Sequence, residues 1–147
     1  MEELMKKLDK KLKIISHEYM DDIITIYVKS TNKSAICPCC GKKSSSINSR
    51  YFRTIKDLPI QDNKVILKLE TKTFFCKNNN CKINTFAENF HFIENRARMT
   101  TRLKNRIVND SKGMSARAAK TAINSGLVNI SDDTILRLFK KNNISNR

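Results

Sequence analysis

Five cysteines carry the reactive chemistry of this chain, and four of them are spaced as two knuckles. Cys37 and Cys40 form a C-x2-C pair, and Cys76 and Cys81 form a C-x4-C pair after thirty-five intervening residues. A C-x2-C turn folds both sulfurs to one side, and a second knuckle supplies the remaining corners of the tetrahedron that zinc makes with thiolates. Pro38 and Gly41 help the first loop turn. Lys42, Lys43, Lys77 and Lys82 lie beside the thiolates in sequence. Nearby positive charge lowers a thiol pKa and offsets the negative charge of a four-thiolate site. Ordinary buried cysteines, disulfides and a redox C-x2-C pair are the competing readings, and none accounts for both knuckles. The pattern therefore predicts one structural Zn2+ on Cys37, Cys40, Cys76 and Cys81. Four thiolates close the coordination shell, whereas a catalytic zinc keeps an open position. Cys39 offers a second way to pair the first knuckle; spacing favours Cys37 with Cys40 and makes Cys39 a free thiol. His17 and His91 are read as ordinary polar residues.

Short strands must present those knuckles. Leu4 to Leu12 reads as a short helix, followed by strands over Lys13–Tyr19 and Ile23–Lys29 around the turn Met20-Asp21-Asp22, on their Ile and Val enrichment. Lys42 to Ser49 reads as a mobile Ser- and Lys-rich loop. Arg50 to Asp57 is a strand ended by Leu58-Pro59, because proline lacks the ladder donor and restricts its predecessor. After a turn at Gln61-Asp62-Asn63, residues from Val65 alternate with period two. Val65, Leu67, Leu69, Thr71, Thr73 and Phe75 face one way, which predicts a half-buried antiparallel strand delivering Cys76.

Near Met99 the spacing becomes helical. Met99, Leu103 and Ile107 recur every four residues, so Thr100 to Ser111 forms an amphipathic helix that Gly113 closes. Ser115 caps a second helix with Ala118, Ala119, Ala122 and Ile123 as its apolar stripe and Gly126 at its exit. Ser131 starts a third, with Ile135, Leu138 and Phe139 inside. The fold class is α+β: a zinc-stapled antiparallel β domain over residues 1–95, then a three-helix helix-turn-helix domain over residues 96–147. In such a motif the second helix of the pair enters the major groove of DNA.

Charge points to the same partner. The chain carries a formal net charge of +15. Residues 1–30 hold six basic and six acidic side chains, residues 31–100 thirteen and five, and residues 101–147 ten and three. An excess of that sign attracts a polyanion, and double-stranded DNA is the usual one. The candidate DNA contacts are Arg102, Arg106, Arg117, Lys120, Thr134, Arg137, Lys140 and Lys141, with Thr134, Arg137 and Lys141 the ones placed for bases. No apolar stretch approaches the ~20 residues of a membrane span, and Met1 to Lys11 lacks the apolar core of a secretory signal. The expected location is cytoplasmic, at the nucleoid when bound to DNA.

Cys37-Pro38-Cys39-Cys40-Gly41, Arg50-Tyr51-Phe52-Arg53, Asp57-Leu58-Pro59, Phe74-Phe75-Cys76 with Cys81, and Phe86-Ala87-Glu88 together resemble the zinc-finger amino terminus of the ISL-three family of bacterial insertion-sequence transposases. Arg98 to Leu103 and Ser131 to Leu138 resemble the helix-turn-helix that follows it. The resemblance spans roughly residues 25 to 141. It implies recognition of the terminal inverted repeats of an insertion sequence, with a full-length transposase or self-association as a further partner. The family's Asp-Asp-Glu catalysis belongs to a larger carboxy-terminal domain. The sequence stops at Arg147, and Asp132 and Asp133 are no substitute for three separated carboxylates, so the expectation is a chain with no catalytic residue of its own, not an enzyme. A stand-alone transcriptional regulator and a zinc-ribbon module for RNA or protein are the alternatives.

Overall fold

A computed structural model describes residues 2–141 of the chain. Helix α1 (Glu2–Leu8) leads into β1 (Leu12–Met20) and β2 (Ile23–Ser30). Their turn residues, Asp21 and Asp22, both have positive φ, 51° and 61°. That is a type I′ conformation, which matches strand twist and which aspartate tolerates better than most residues. β3 (Ala35–Ile36) and β4 (Lys43–Ser44) make a separate two-stranded hairpin. The long strands β5 (Ile47–Ile60) and β6 (Asn63–Phe75) are joined through Gln61 and Asp62 in a second positive-φ turn, at 48° and 65°. β7 (Thr85–Ala87) pairs with β6 at Thr73 to Phe75, beyond the point where β2 leaves it.

The sheet order is β1-β2-β6-β5, and it departs from the expected wholly antiparallel arrangement at its centre. β2 and β6 run parallel from Ile23 opposite Lys64 to Lys29 opposite Glu70. The chain between them contains the β3–β4 hairpin and all of β5, which returns it to the end from which β2 set out; parallel neighbours need such a long connection. Pro59 does not end β5 either. It sits in an irregularity between Asp57 and Ile60, where a missing N–H costs no ladder bond. The segment expected to be a mobile loop, Lys42 to Ser49, is instead held by pairing, with Ala35 opposite Ser44 and Ile47 opposite Phe74.

One face of the sheet buries Ile24, Ile26, Val28, Ile55, Val65, Leu67 and Leu69 against Met5, Leu8, Phe90, Phe92 and Ile93. The alternation expected to carry Thr73 and Phe75 inward ends at Thr71. Phe74, on the opposite face, is fully buried, and Phe75 is 39% exposed. The pleat is unbroken; the covered face changes, because Phe74 lies in a second small core with Cys37 and Phe86.

The three carboxy-terminal helices are α2 (Thr101–Asp110), α3 (Ala116–Gly126) and α4 (Asp132–Lys141). Thr100 and Ser115 cap the first two by accepting from the N–H groups of Leu103 and Ala118, and the Ser131 hydroxyl accepts from Thr134 N–H. Side-chain capping satisfies donors that the first turn of a helix leaves unpaired. Leu103, Ile107, Ala119, Ile123, Ile135, Leu138 and Phe139 form their common core. The expected stripe on α3 is narrower than the sequence indicates: Ala118 and Ala122 are exposed, and Leu127, Val128 and Ile130 from the following turn fill the core instead. Among the described residues no helix is long and apolar enough to cross a membrane.

Sheet and helices are locked by a buried carboxylate. Asp57 is 1% exposed, accepts from the Thr100 hydroxyl at 2.7 Å and from Arg102 Nε at 2.8 Å, and is paired with Arg102 Nη2 through its other oxygen. Lys56 and Met99 bridge beside it, and Leu58 packs into the helical core. Asp57→Ala strands the guanidinium and the hydroxyl of Thr100; breaking one side of such a pair is expected to cost about 3 kcal/mol, read as a lowered midpoint in urea unfolding.

Candidate metal centre and basic helical face

The first knuckle grows out of β3. Cys37 donates its N–H to Lys42 O and accepts at its carbonyl from Gly41 N–H, both at 2.9 Å, which closes a tight loop over Pro38 to Gly41. Gly41 takes φ +77°, a conformation that L side chains rarely adopt, so glycine is required at this turn. The second knuckle leaves the end of β6. Cys76 N–H donates to Asn84 O at 2.8 Å, Cys81 N–H to Asn78 O at 3.0 Å, and the Asn78 side chain accepts from Asn80 N–H. Ser44 ties the two knuckles together by donating its hydroxyl to Phe75 O at 2.5 Å. Beneath them Phe74 stacks on Phe86 with ring centroids 5.8 Å apart.

These turns bring the sulfurs of Cys37, Cys40, Cys76 and Cys81 within 4.8 Å of one another. Cys37 lies 3.8 Å from Cys81, and Cys40 3.6 Å from Cys76. A tetrahedron with Zn–S bonds of about 2.3 Å has edges of about 3.8 Å, so the four sulfurs stand where one zinc ion needs them. Cys39 is exposed and outside the group, which leaves Cys37 and Cys40 as the pair from the first knuckle. The Lys42 N–H, with the Asn78 side chain, draws the Cys40 thiol down to about 6. Cys76 receives a backbone bond from Asn78 that favours its thiolate, yet desolvation and the crowding sulfurs of Cys40, Cys81 and Cys37 push it up to about 12. Four adjacent sulfurs resist ionising together; a divalent cation among them relieves that repulsion. The centre takes a structural Zn2+. Neither His17 nor His91 is near: His17 is exposed on β1, and His91 Nδ1 faces Asp9 at 3.6 Å.

The eight residues expected at DNA are placed less uniformly. The Arg102 fork is occupied by Asp57, so this side chain orients α2 against the sheet. Arg106 meets Asp110 one turn on, at 2.8 Å on the surface. Arg117 and Lys120 line a shallow cleft between α3 and α4 with Asn124 and Leu136. Arg137 and Lys140 are exposed on α4, and Thr134 Oγ1 lies 3.0 Å from the Ser131 hydroxyl. The Lys141 side chain falls outside the described residues. Four residues that sequence reasoning missed fix the α3–α4 turn. Asn124 bonds both the N–H and the carbonyl of Ile130, Lys64 donates to Asn124 O and Asn129 Oδ1, and Lys56 donates to Asn129 O. The asparagines stand in a turn-rich stretch, which was the available signal; the lysines sit on distant strands and carried none.

Replacing Cys37 or Cys81 by serine is expected to remove the bound metal, whereas Cys39→Ser keeps about one equivalent of zinc; metal analysis of the purified variants distinguishes the two outcomes.

Residues 33–81 match the family described as the zinc-finger of transposase IS204/IS1001/IS1096/IS1165. The chain is also 30% identical over 54 residues to a transposase for insertion sequence element IS1001 from Bordetella parapertussis; that stretch is 37% of this chain and 13% of its relative. The chain therefore spans a small part of the curated relative it matches. No solved structure matches it. The matched segment opens just before the first knuckle and closes on Cys81, so it contains all four clustered sulfurs. With that geometry and those two matches, residues 33–81 are similar to the zinc finger of the ISL-three insertion-sequence transposases.

Proposed function

We propose that this chain is a zinc-stapled DNA-binding module of transposase type that recognises the terminal inverted repeats of an insertion sequence through a helix-turn-helix formed by α3 and α4. One observation carries the reading: α4 is two-sided and sits against α3 across an open, basic cleft. Ile135, Leu138 and Phe139 point into the core, while Arg137 and Lys140 are exposed and Arg117 and Lys120 line the cleft from α3. Seated with its exposed side in the major groove, α4 would offer Arg137 and Thr134 to base edges, with Lys140, Arg117 and Lys120 at phosphates. The five residues between α3 and α4 exceed the usual turn, but the Asn124 clamp on Ile130 and the strand lysines hold that turn in one conformation. Such rigidity supports a reading helix, because base contacts discriminate only when the helix is held in register.

In this reading residues 1–95 and 96–147 are two functional units that share a boundary layer. Arg102 is a positioning residue: through Asp57 it sets the angle at which α2, and with it the helical unit, leaves the sheet. Zinc contributes by fixing the knuckles and takes no part in chemistry. The chain would act beside a catalytic domain of the transposase kind.

A mobility-shift assay on duplexes carrying the native element ends, with scrambled competitors and a salt series, tests the proposal. Sequence-dependent binding is expected. Arg137→Ala should cut discrimination between native and scrambled ends by about 10-fold, and Lys140→Ala should weaken all duplexes alike and lower the salt slope by about one. A shift that ignores sequence would defeat the inverted-repeat reading.

A further inference from the structure

The sheet face opposite Leu67 and Leu69 is enclosed at its two ends and open between them. At one end Lys56 and Lys64 meet the α3–α4 turn, and at the other Phe74 lies under the zinc knuckles. By pleat and register, the middle of that face presents Tyr27 and Lys29 from β2, Ile66 and Lys68 from β6, and Phe52 from β5. None of these is buried, and Phe52 is 52% exposed. The rings of Tyr27 and Phe52 reach each other over β6, 6.0 Å apart and edge to face. Glu70, the acidic residue of β6 on this face, stands 4.0 Å from Arg50.

An aromatic pair with lysines around it, on a flat strand surface, has the chemistry of a stacking platform. Bases in a duplex are already stacked and offer no face to an exposed phenyl ring, whereas an unpaired strand offers base faces and phosphates together. A protein partner would call for a continuous apolar patch, and here the aromatics are interleaved with cations. From Ile66 to Glu70 the floor runs about 13 Å, room for two or three nucleotides. We propose that this face binds a short stretch of single-stranded DNA, its bases stacked on Phe52 and Tyr27 and its phosphates met by Lys29 and Lys68. The choice of DNA over RNA rests on the duplex reading above: the platform begins where the α3–α4 turn meets the sheet, so a strand leaving a duplex held by the helices runs onto it.

The test uses the full zinc-loaded chain and fluorescence anisotropy with labelled oligo-dT of about 15 nucleotides, oligo-U of equal length, and a duplex. Phe52→Ala is expected to weaken oligo-dT binding by about 10-fold, Phe52→Trp to restore it, and Lys29→Glu to weaken it as well, with the duplex affinity of Phe52→Ala unchanged. Oligo-dT binding that is indifferent to both Phe52→Ala and Lys29→Glu would overturn the proposal. So would a clear preference for oligo-U, or a dimer in sedimentation that Phe52→Ala dissolves. Reduced discrimination between duplexes in Arg137→Ala with Phe52-dependent oligo-dT binding intact supports the platform independently of the helices. Absent duplex binding in the parent chain, with the platform still active, would sink the helical reading alone.

Discussion

Four sulfurs from two distant knuckles are packed to within 4.8 Å, and that crowding is the constraint on which the amino-terminal half depends. Thiolates at such distances repel, and the core around them is small: Phe74, Phe86 and the cysteines, with Ala35, Ile47 and Ile83 packed against them. Strands β3 and β4 are two residues each, too short to hold a hairpin by their own ladder. A divalent ion converts the repulsion into four bonds and makes the ribbon a rigid unit; in small domains of this type the metal supplies folding free energy directly. The stacked Phe74–Phe86 pair and the Ser44 bond to Phe75 then fasten that unit to the end of the sheet.

Strand β6 transmits the constraint. Its first part buries Val65, Leu67 and Leu69 in the main core, and its last part turns Phe74 into the ribbon core on the other face. One extended strand thus holds the knuckles in register with the sheet. Glu88 and Lys72 strengthen the junction: Glu88 accepts from the backbone N–H of Lys72 and from the Ser30 hydroxyl, while Lys72 Nζ donates to the carbonyls of Ser30 and Asn32. At the far end Asp57 and the two lysines that hold the α3–α4 turn orient the helices. The sheet works as a spacer between a metal-braced end and a helical end.

What could be read from the sequence was whatever depends on near neighbours. Cysteine spacing identified the knuckles, period-two alternation found β6 from Val65 to Thr71, the four-residue recurrence of Met99, Leu103 and Ile107 found α2, and Ser115 and Ser131 marked two further helix starts because a capping hydroxyl acts within its own turn. What escaped depends on residues far apart in the chain. The parallel pairing of β2 with β6 follows from where the intervening ribbon lies, and no pattern within either strand records it. The inward turn of Phe74 depends on the knuckles covering that face. Arg102 reads as a free surface cation on a helix, and only its meeting with Asp57, forty-five residues away, shows its charge to be spent inside the protein. Ala118 and Ala122 look like core by composition and are exposed because Leu127, Val128 and Ile130 fill the space.

The most direct measurement of the central claim is X-ray absorption at the zinc edge on the purified, metal-loaded chain. The account predicts four sulfur ligands at about 2.3 Å and no nitrogen or oxygen in the first shell. A shell with two or three sulfurs completed by a light atom would show that the two knuckles do not close on one ion, and the brace described for the sheet would fail with it.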